Sequence, residues 1–321
     1  MPYFSFGKGE INLNIIINLL GGFGLFLYGM NLMAEGLQKS AGNKIIGLLT
    51  RNIILSVIVG VLVTAIIQSS SATTVMVVGF VNAGIMELNQ AIGIIMGANI
   101  GTTITAQLVS LNLEGLAPII LGVGIVLYLL FDNSKIKNIL EIFLGFGILF
   151  IEIEFMKESV KPLAEFKGLT DSLIGFGQRP ILGFGITAIV QSSSASMGML
   201  IALATQGLIH LNSALPILYG QNIGTCVTSL ISSIGASENA RRAAIIHLLF
   251  NIIGSIVFLL LLNKSMVQIV TRLNPDDITR KIANTHIIFN IISVLVLLPF
   301  SKLIVKLSIK IILDRNYVKI G

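Results

Sequence analysis

The sequence predicts an all-α polytopic membrane protein made of two inverted-topology repeats. Each repeat has a re-entrant Gln-Ser-Ser-Ser hairpin and a broken helix, and a final extra transmembrane helix follows. Three observations carry this expectation. The first is composition: 54% of residues are hydrophobic, only 11% are charged, and the mean hydropathy is +0.93. Soluble domains carry about 25% charged residues. The second is a register of 123 residues. Gln68-Ser69-Ser70-Ser71-Ala72 returns as Gln191-Ser192-Ser193-Ser194-Ala195, and Gly97-Ala98-Asn99-Ile100-Gly101-Thr102 returns as Gly220-Gln221-Asn222-Ile223-Gly224-Thr225. The third is length. The apolar arms around each Gln-Ser-Ser-Ser hold roughly a dozen residues, too few at about 1.5 Å per residue to cross about 30 Å of hydrocarbon.

Each copy then reads as the same series. A long helix opens it, near Ile15–Gln38 and again near Ile139–Val160. The start lacks the basic, apolar and small-residue pattern of a cleavable signal, so the first span is expected to be retained. A charged connection follows, Lys39–Arg51 and Lys161–Arg179. Next come the hairpin arms, Ile53–Ile67 with Ala72–Asn82, and Pro180–Val190 with Ala195–Gln206. A further apolar segment is expected to break at Gly-x-Asn-Ile-Gly-Thr, the glycines marking unwound backbone. Leu116–Phe131 and Arg242–Leu262 close the copies, and Lys281 to about Leu313 forms the unpaired last helix. The expected units are 1–137, 138–263 and 264–321, within one transport domain.

With hairpins returning to their own side, each copy makes an odd number of crossings, so the second enters from the opposite face and the two tips oppose. The side holding Lys39, Lys135, Lys137, Arg241, Arg242 and the C-terminal tail then carries twelve of the 21 basic residues. The positive-inside rule places that side, and the C-terminus, in the cytoplasm of a cell inner or plasma membrane. The net charge of +6 lies in loops and tails rather than on a nucleic-acid face. The single Cys226 excludes an internal disulfide framework and a cysteine metal cluster.

Polar groups at membrane depth are costly and usually serve a substrate. Two Gln-Ser-Ser-Ser hairpins, each followed by Gly-x-Asn-Ile-Gly-Thr, resemble the type II sodium/phosphate cotransporter family over roughly Gly21–Leu262. The resemblance implies sodium-driven symport of inorganic phosphate at a site where the repeats meet. It also implies relatives that continue into a helical cytoplasmic domain, whereas this sequence ends at Gly321 after a short basic tail.

The residues suit that chemistry. Serine hydroxyls at a helix N-terminus offer donors and a favourable dipole to an oxyanion. Ser69, Ser70, Ser71, Ser192, Ser193 and Ser194 are candidate phosphate donors, with Thr73 and Ser196 as phosphate or sodium contacts. Gln68, Gln191, Asn99, Thr102, Asn222 and Thr225 are candidate sodium ligands or hairpin-fixing partners. No Lys or Arg lies in either motif, so sodium ions supply the positive charge, and no other cofactor or metal is expected. The expected partners are phosphate, sodium and the bilayer, with homo-oligomerisation left open.

Alternatives are transport of sulfate, arsenate or a carboxylate, a phosphate-binding membrane sensor, and an intramembrane serine hydrolase. The last lacks a base in either motif. Close helix packing by Ser, Thr and Gly is the plain structural alternative. His247/Asn251 and His286/Asn290 form a lesser echo suited to hydrogen bonding between scaffold helices or to proton sensing. Glu152 and Glu154 stand where the first copy has Gly29 and Asn31, either as interface residues or as a cation attractor.

Overall fold

A computed structural model describes residues 13–41, 52–111, 115–160 and 180–313. The charged connections at 42–51 and 161–179, and the tail from 314, fall outside them. The elements of the first copy are α1 (Leu13–Ala41), α2 (Ile53–Ile67), α3 (Ser70–Asn82), α4 (Leu88–Gly101), α5 (Thr103–Val109) and α6 (Ala117–Leu130). The second copy contributes α7 (Ser134–Val160), α8 (Pro180–Val190), α9 (Ser193–Thr205), α10 (Leu211–Gly224), α11 (Cys226–Ser232) and α12 (Glu238–Val257). A π-helical turn at Phe258–Leu262 joins α12 to α13 (Asn263–Leu273); α14 (Ile278–Leu297) continues through a 3-10 turn into α15 (Ser301–Ile311). No strand occurs among the described residues.

Among the described residues, three helical runs are long and apolar enough to cross a membrane: Leu88–Val109, Glu238–Leu273 and Ile278–Ile311. The Glu238–Leu273 run is 36 residues long, or about 54 Å at 1.5 Å per residue. It passes Leu262, the expected end of the second copy, without breaking. Asn274 and Pro275 end it, and Asp277 caps the returning α14, its carboxylate accepting from the Arg280 N–H at 3.0 Å.

The opening helices of the copies, α1 and α7, pack antiparallel along a glycine seam. A Cβ at Gly29 would lie 2.9 Å from the Gly145 carbonyl oxygen, and one at Gly36 would lie 2.6 Å from that of Asn138. Gly22, one heptad earlier, faces Glu152 and Met156. The 123-residue register maps Gly22 onto Gly145 and Gly29 onto Glu152, so the Gly29–Gly145 and Gly22–Glu152 contacts exchange under it. Glu152 is buried on this seam, while Glu154 pairs with Lys157 at 3.6 Å. Lys39 and Glu141 close one end of the seam at 2.8 Å.

The motif glycines do a different job from the expected one. The α4 helix runs unbroken through Gly97-Ala98-Asn99-Ile100-Gly101, and its only interruption is Thr102, whose φ of −65° and ψ of −20° are helical. The expected unwound backbone is therefore a one-residue irregularity. Gly97 and Gly101 instead face α2: a Cβ at Gly97 would overlap the Val57 carbonyl oxygen, and one at Gly101 would sit 2.6 Å from that of Val61. Gly220 and Gly224 repeat this against Pro180 and Phe184 of α8. In both copies the motif helix runs parallel to the first hairpin arm and reaches the level of the tip.

Candidate functional site

The two tips are built alike. Gln68 and Gln191 end α2 and α8 in the left-handed region, with φ of 58° and 56°. Ser69 and Ser192 are extended N-caps, their hydroxyls accepting from the Ala72 and Ala195 N–H groups at 3.1 and 3.3 Å. Ser70, Ser71, Ser193 and Ser194 lie in the first helical turns, so the non-helical tip is only Gln-Ser. Thr73 and Ser196, one turn in, donate their hydroxyl hydrogens to the Ser69 and Ser192 carbonyls at 3.1 and 2.9 Å. These bonds draw the turn tight. Helix N-termini with serine hydroxyls beside their first backbone N–H groups are the arrangement that favours an anion.

The repeats meet at these tips. The Thr102 hydroxyl, at the end of the first Gly-x-Asn-Ile-Gly-Thr, lies 3.4 Å from that of Ser193 in the second hairpin. Beyond it, α5 packs on α9, and reciprocally α11 packs on α3. Each hairpin is therefore seated against the short helix that follows the motif in the other copy. The far ends of the hairpins diverge: the Asn82 amide oxygen accepts from the Ser237 N–H at 2.8 Å, beside the start of α12. The Thr205 hydroxyl lies 3.4 Å from that of Thr279, beside the start of α14. Those starts flank opposite ends of the Glu238–Leu273 run, so the hairpins approach from opposite ends.

The remaining predicted residues divide by partner. Asn99 and Asn222 each donate to the carbonyl four residues earlier, Ile95 and Leu218, at 2.9 Å. Thr225 donates to the Asn222 carbonyl at 2.6 Å. Gln68 is buried; its amide donates to the Ala65 carbonyl and accepts from Thr105 at 2.6 Å. Gln191 is exposed, and Thr228, the register mate of Thr105, turns instead to the Thr225 carbonyl at 2.9 Å. Thr64 donates to Thr73 at 2.9 Å, whereas its mate Thr187 has a buried hydroxyl without a hydrogen-bond partner among the described residues. The glutamine and threonine bonds that tie the first tip together are not repeated at the second.

Several contributors lie outside the predicted set. Thr105 holds Gln68, and Gln221 donates to the Ser196 carbonyl at 2.8 Å. Asn290, on α14, lies 3.4 Å from the Asn222 amide oxygen. Thr64 and Thr187 were visible in the register as a matched pair. Asn290 left a signal only in the His–Asn echo. Gln68 also borders a cavity of about 380 Å³ that is otherwise apolar, with Met33, Ile104 and Phe146 among its walls.

A model of the Na+/Pi-cotransporter family matches residues 25–158 and 171–274. The chain belongs to this family. The family is one of transporters rather than enzymes. Among its relatives, the uncharacterized protein YqeW of Bacillus subtilis is 32% identical over 258 residues, covering 78% of this chain and 83% of YqeW. The YjbB protein of Escherichia coli K12, named for inorganic phosphate export, is 28% identical over 260 residues, covering 76% of this chain and 46% of YjbB. The sodium-dependent phosphate transport protein 2A of Rattus norvegicus is 40% identical over 103 residues, covering 30% of this chain and 16% of that protein. The chain thus spans about half the length of YjbB and a small part of the rat protein. No solved structure matches it.

Proposed function

We propose that this membrane protein is a sodium-dependent inorganic phosphate symporter that binds phosphate between two opposed Gln-Ser-Ser-Ser tips, with sodium ions compensating its charge. The observation that carries this reading is the 3.4 Å approach of Thr102 to Ser193. It brings the end of the motif helix of the first copy, level with the first hairpin's tip, to the hairpin tip of the second. Family membership and the names of the YjbB and 2A relatives support phosphate as the oxyanion.

The roles follow from hydrogen-bond capacity. Ser70, Ser71, Ser193 and Ser194 donate to phosphate oxygens together with the first backbone N–H groups of α3 and α9. Thr73 and Ser196 have committed their hydrogens to the tip, which leaves oxygen lone pairs to offer to sodium, Thr73 having one already taken by the Thr64 hydroxyl. Ser69 and Ser192 hold the tips as caps. Gln68, Gln191, Asn99, Thr102, Asn222 and Thr225 offer oxygens to sodium or brace the tips. An anion without fixed counter-charge costs too much to bury, so sodium must enter with it. The exchange of contacts between α1 and α7 supports copies inverted in the bilayer, and the positive-inside rule supports a cytoplasmic C-terminus.

Radiolabelled phosphate uptake into proteoliposomes, with sodium replaced by choline in the control, tests the reading. Uptake should require inward-directed sodium and resist excess sulfate, while arsenate should compete. Ser193→Ala should raise the half-saturating phosphate concentration about 10- to 100-fold, the loss of one donor to a charged acceptor. Sodium-independent uptake, or uptake blocked equally by sulfate, would sink it. The export named in YjbB, a relative over most of the chain, favours a second reading in which the same machinery runs outward. Efflux from phosphate-loaded vesicles under the reversed sodium gradient checks that.

A further inference from the structure

The helical hairpin of α6 and α7 carries a groove that the phosphate site does not use. The two helices meet closely at two glycines. A Cβ at Gly124 would lie 2.9 Å from the Leu144 side chain, and one at Gly147 would lie 3.0 Å from that of Leu121. Beside this contact the helices part around a cavity of about 340 Å³, with Val123, Leu127, Leu140 and Phe143 among its walls. Ile120 and Phe143 also line the cavity of about 380 Å³ next to Gln68, so the two spaces adjoin. From Leu127 to Ile120 the groove follows two turns of α6, about 10 Å at 1.5 Å per residue.

Gln68 is the one polar side chain along this run. The rim is open, because Ile119, Val123 and Phe143 are each more than half exposed. In a chain that spans a bilayer, an apolar opening of this kind faces hydrocarbon.

The outer end has the opposite character. One residue beyond Leu127 stands Tyr128, and the turn into α7 brings Lys135 and Lys137 back to it. The Lys137 ammonium lies 5.2 Å from the centre of the Tyr128 ring. Tyrosine and lysine together mark the level of the lipid headgroups. Asp132 is 3.4 Å from the same ammonium and fully exposed, a screened pair that leaves the lysine open to a stronger anion. Lys135 is exposed on the same turn. The neighbouring Lys39 is already matched, to Glu141 at 2.8 Å and Glu35 at 3.4 Å.

The order of these features selects the ligand. A free anion would leave the groove unfilled, and an apolar solute would leave the lysines unused. An anionic phospholipid presents a phosphate at headgroup level and an acyl chain directly beneath it, in the sequence that the turn and the groove require. We propose that an anionic phospholipid occupies this groove, its phosphate against Lys135 and Lys137 and one acyl chain running between α6 and α7 towards Gln68. The chain end then packs behind the first tip, on the glutamine that Thr105 holds. This rests on the membrane-spanning fold and is independent of which solute is transported.

The chain contains no tryptophan, so a single one reports locally. Val123→Trp places it on the rim of the groove. Val126→Trp, at a similar depth and as exposed as Val123, places it outside the walls. Each full chain would be reconstituted in phosphatidylcholine vesicles containing rising shares of brominated phosphatidylglycerol or brominated phosphatidylcholine, and its fluorescence followed. Val123→Trp should reach half-quenching at a share of phosphatidylglycerol at least fivefold below that of phosphatidylcholine, since a lysine near an anionic lipid is worth about a factor of five. Val126→Trp should respond to both lipids alike. Adding Lys135→Gln and Lys137→Gln to Val123→Trp should abolish the preference, and excess inorganic phosphate should leave it intact. Equal quenching by the two lipids at Val123, or a preference that survives both lysine substitutions, overturns the proposal. So does an absence of quenching there, the result expected if a second copy of the chain covers the groove. Loss of the preference on adding phosphate would also overturn it, by showing that the turn takes the free anion. Should Val123→Trp not fold, native mass spectrometry of the chain without tryptophan decides. It should retain phosphatidylglycerol over phosphatidylcholine from an equimolar mixture, and the double lysine variant should not; equal retention by the unaltered chain refutes the site.

Discussion

Gln68 and Gln191 occupy the same place in two copies of one motif and have different surroundings. Gln68 is held by Ala65 and Thr105, while Gln191 stands exposed. The contribution of Thr105 is measurable. Thr105→Val should leave the buried Gln68 oxygen unpaired and cost about 1–3 kcal/mol, read as a lower melting temperature. Thr228→Val, whose mate Gln191 is solvated, should cost clearly less. Equal losses would show that the 2.6 Å bond contributes nothing special. At this scale the sequence was informative about types and poor about partners. The recurrence of Gln-Ser-Ser-Ser located both tips, but nothing in one chain's residue order tells Thr105 to turn toward Gln68 while Thr228 turns to its own helix. The asparagine of α14 was harder still, because the internal register contains no mate to point at it.

Among the elements, the glycines of the motif helices show how one residue type carries two messages. Between apolar residues a glycine fits unwound backbone and close helix contact equally well, and only the neighbour distinguishes them. Here the neighbours are the backbones of α2 and α8. A Cβ at Gly220 would overlap the Pro180 carbonyl oxygen, whereas at Gly185 it would meet open space. Gly220→Ala should therefore force α10 from α8, costing about 1–3 kcal/mol or more. Gly185→Ala should be neutral or stabilising by up to about 1 kcal/mol. Thermal unfolding of the two variants side by side decides, and comparable stability would contradict the packing described. Helix bounds were legible to within a few residues wherever capping residues marked them. The continuation from α12 into α13 was not, because the charged Lys264 and polar Asn263 read as a loop when they cover only the end of an over-long helix.

For the whole molecule, the register foretold two opposed hairpins, and the contacts at Ser237 and Thr279 set their outer ends apart along the Glu238–Leu273 run. Glu87 and His210 are register mates, both exposed, in the turns that follow the hairpins. In a Cys226→Ala background, Glu87→Cys and His210→Cys should react with a membrane-impermeant maleimide from opposite faces of sealed vesicles. Labelling from one face would refute the inverted arrangement. The odd number of crossings predicts this arrangement; the glycine seam between α1 and α7 was not legible, since its heptad spacing becomes meaningful only once the partner helix is known.

The unequal bonding of the two tips has a dynamic consequence. A molecule whose two copies carry register-matched groups in different bonds holds a template for its own alternate: Gln191 and Thr228 can take up the bond that Gln68 and Thr105 release. Such an exchange conserves the inventory of hydrogen bonds, so the two forms lie close in free energy and a modest ion gradient can decide between them. Removing one clasp should then tilt that balance. In vesicles of known orientation, Thr105→Val should change the ratio of inward to outward phosphate flux in one sense, and Thr228→Val should change it in the other.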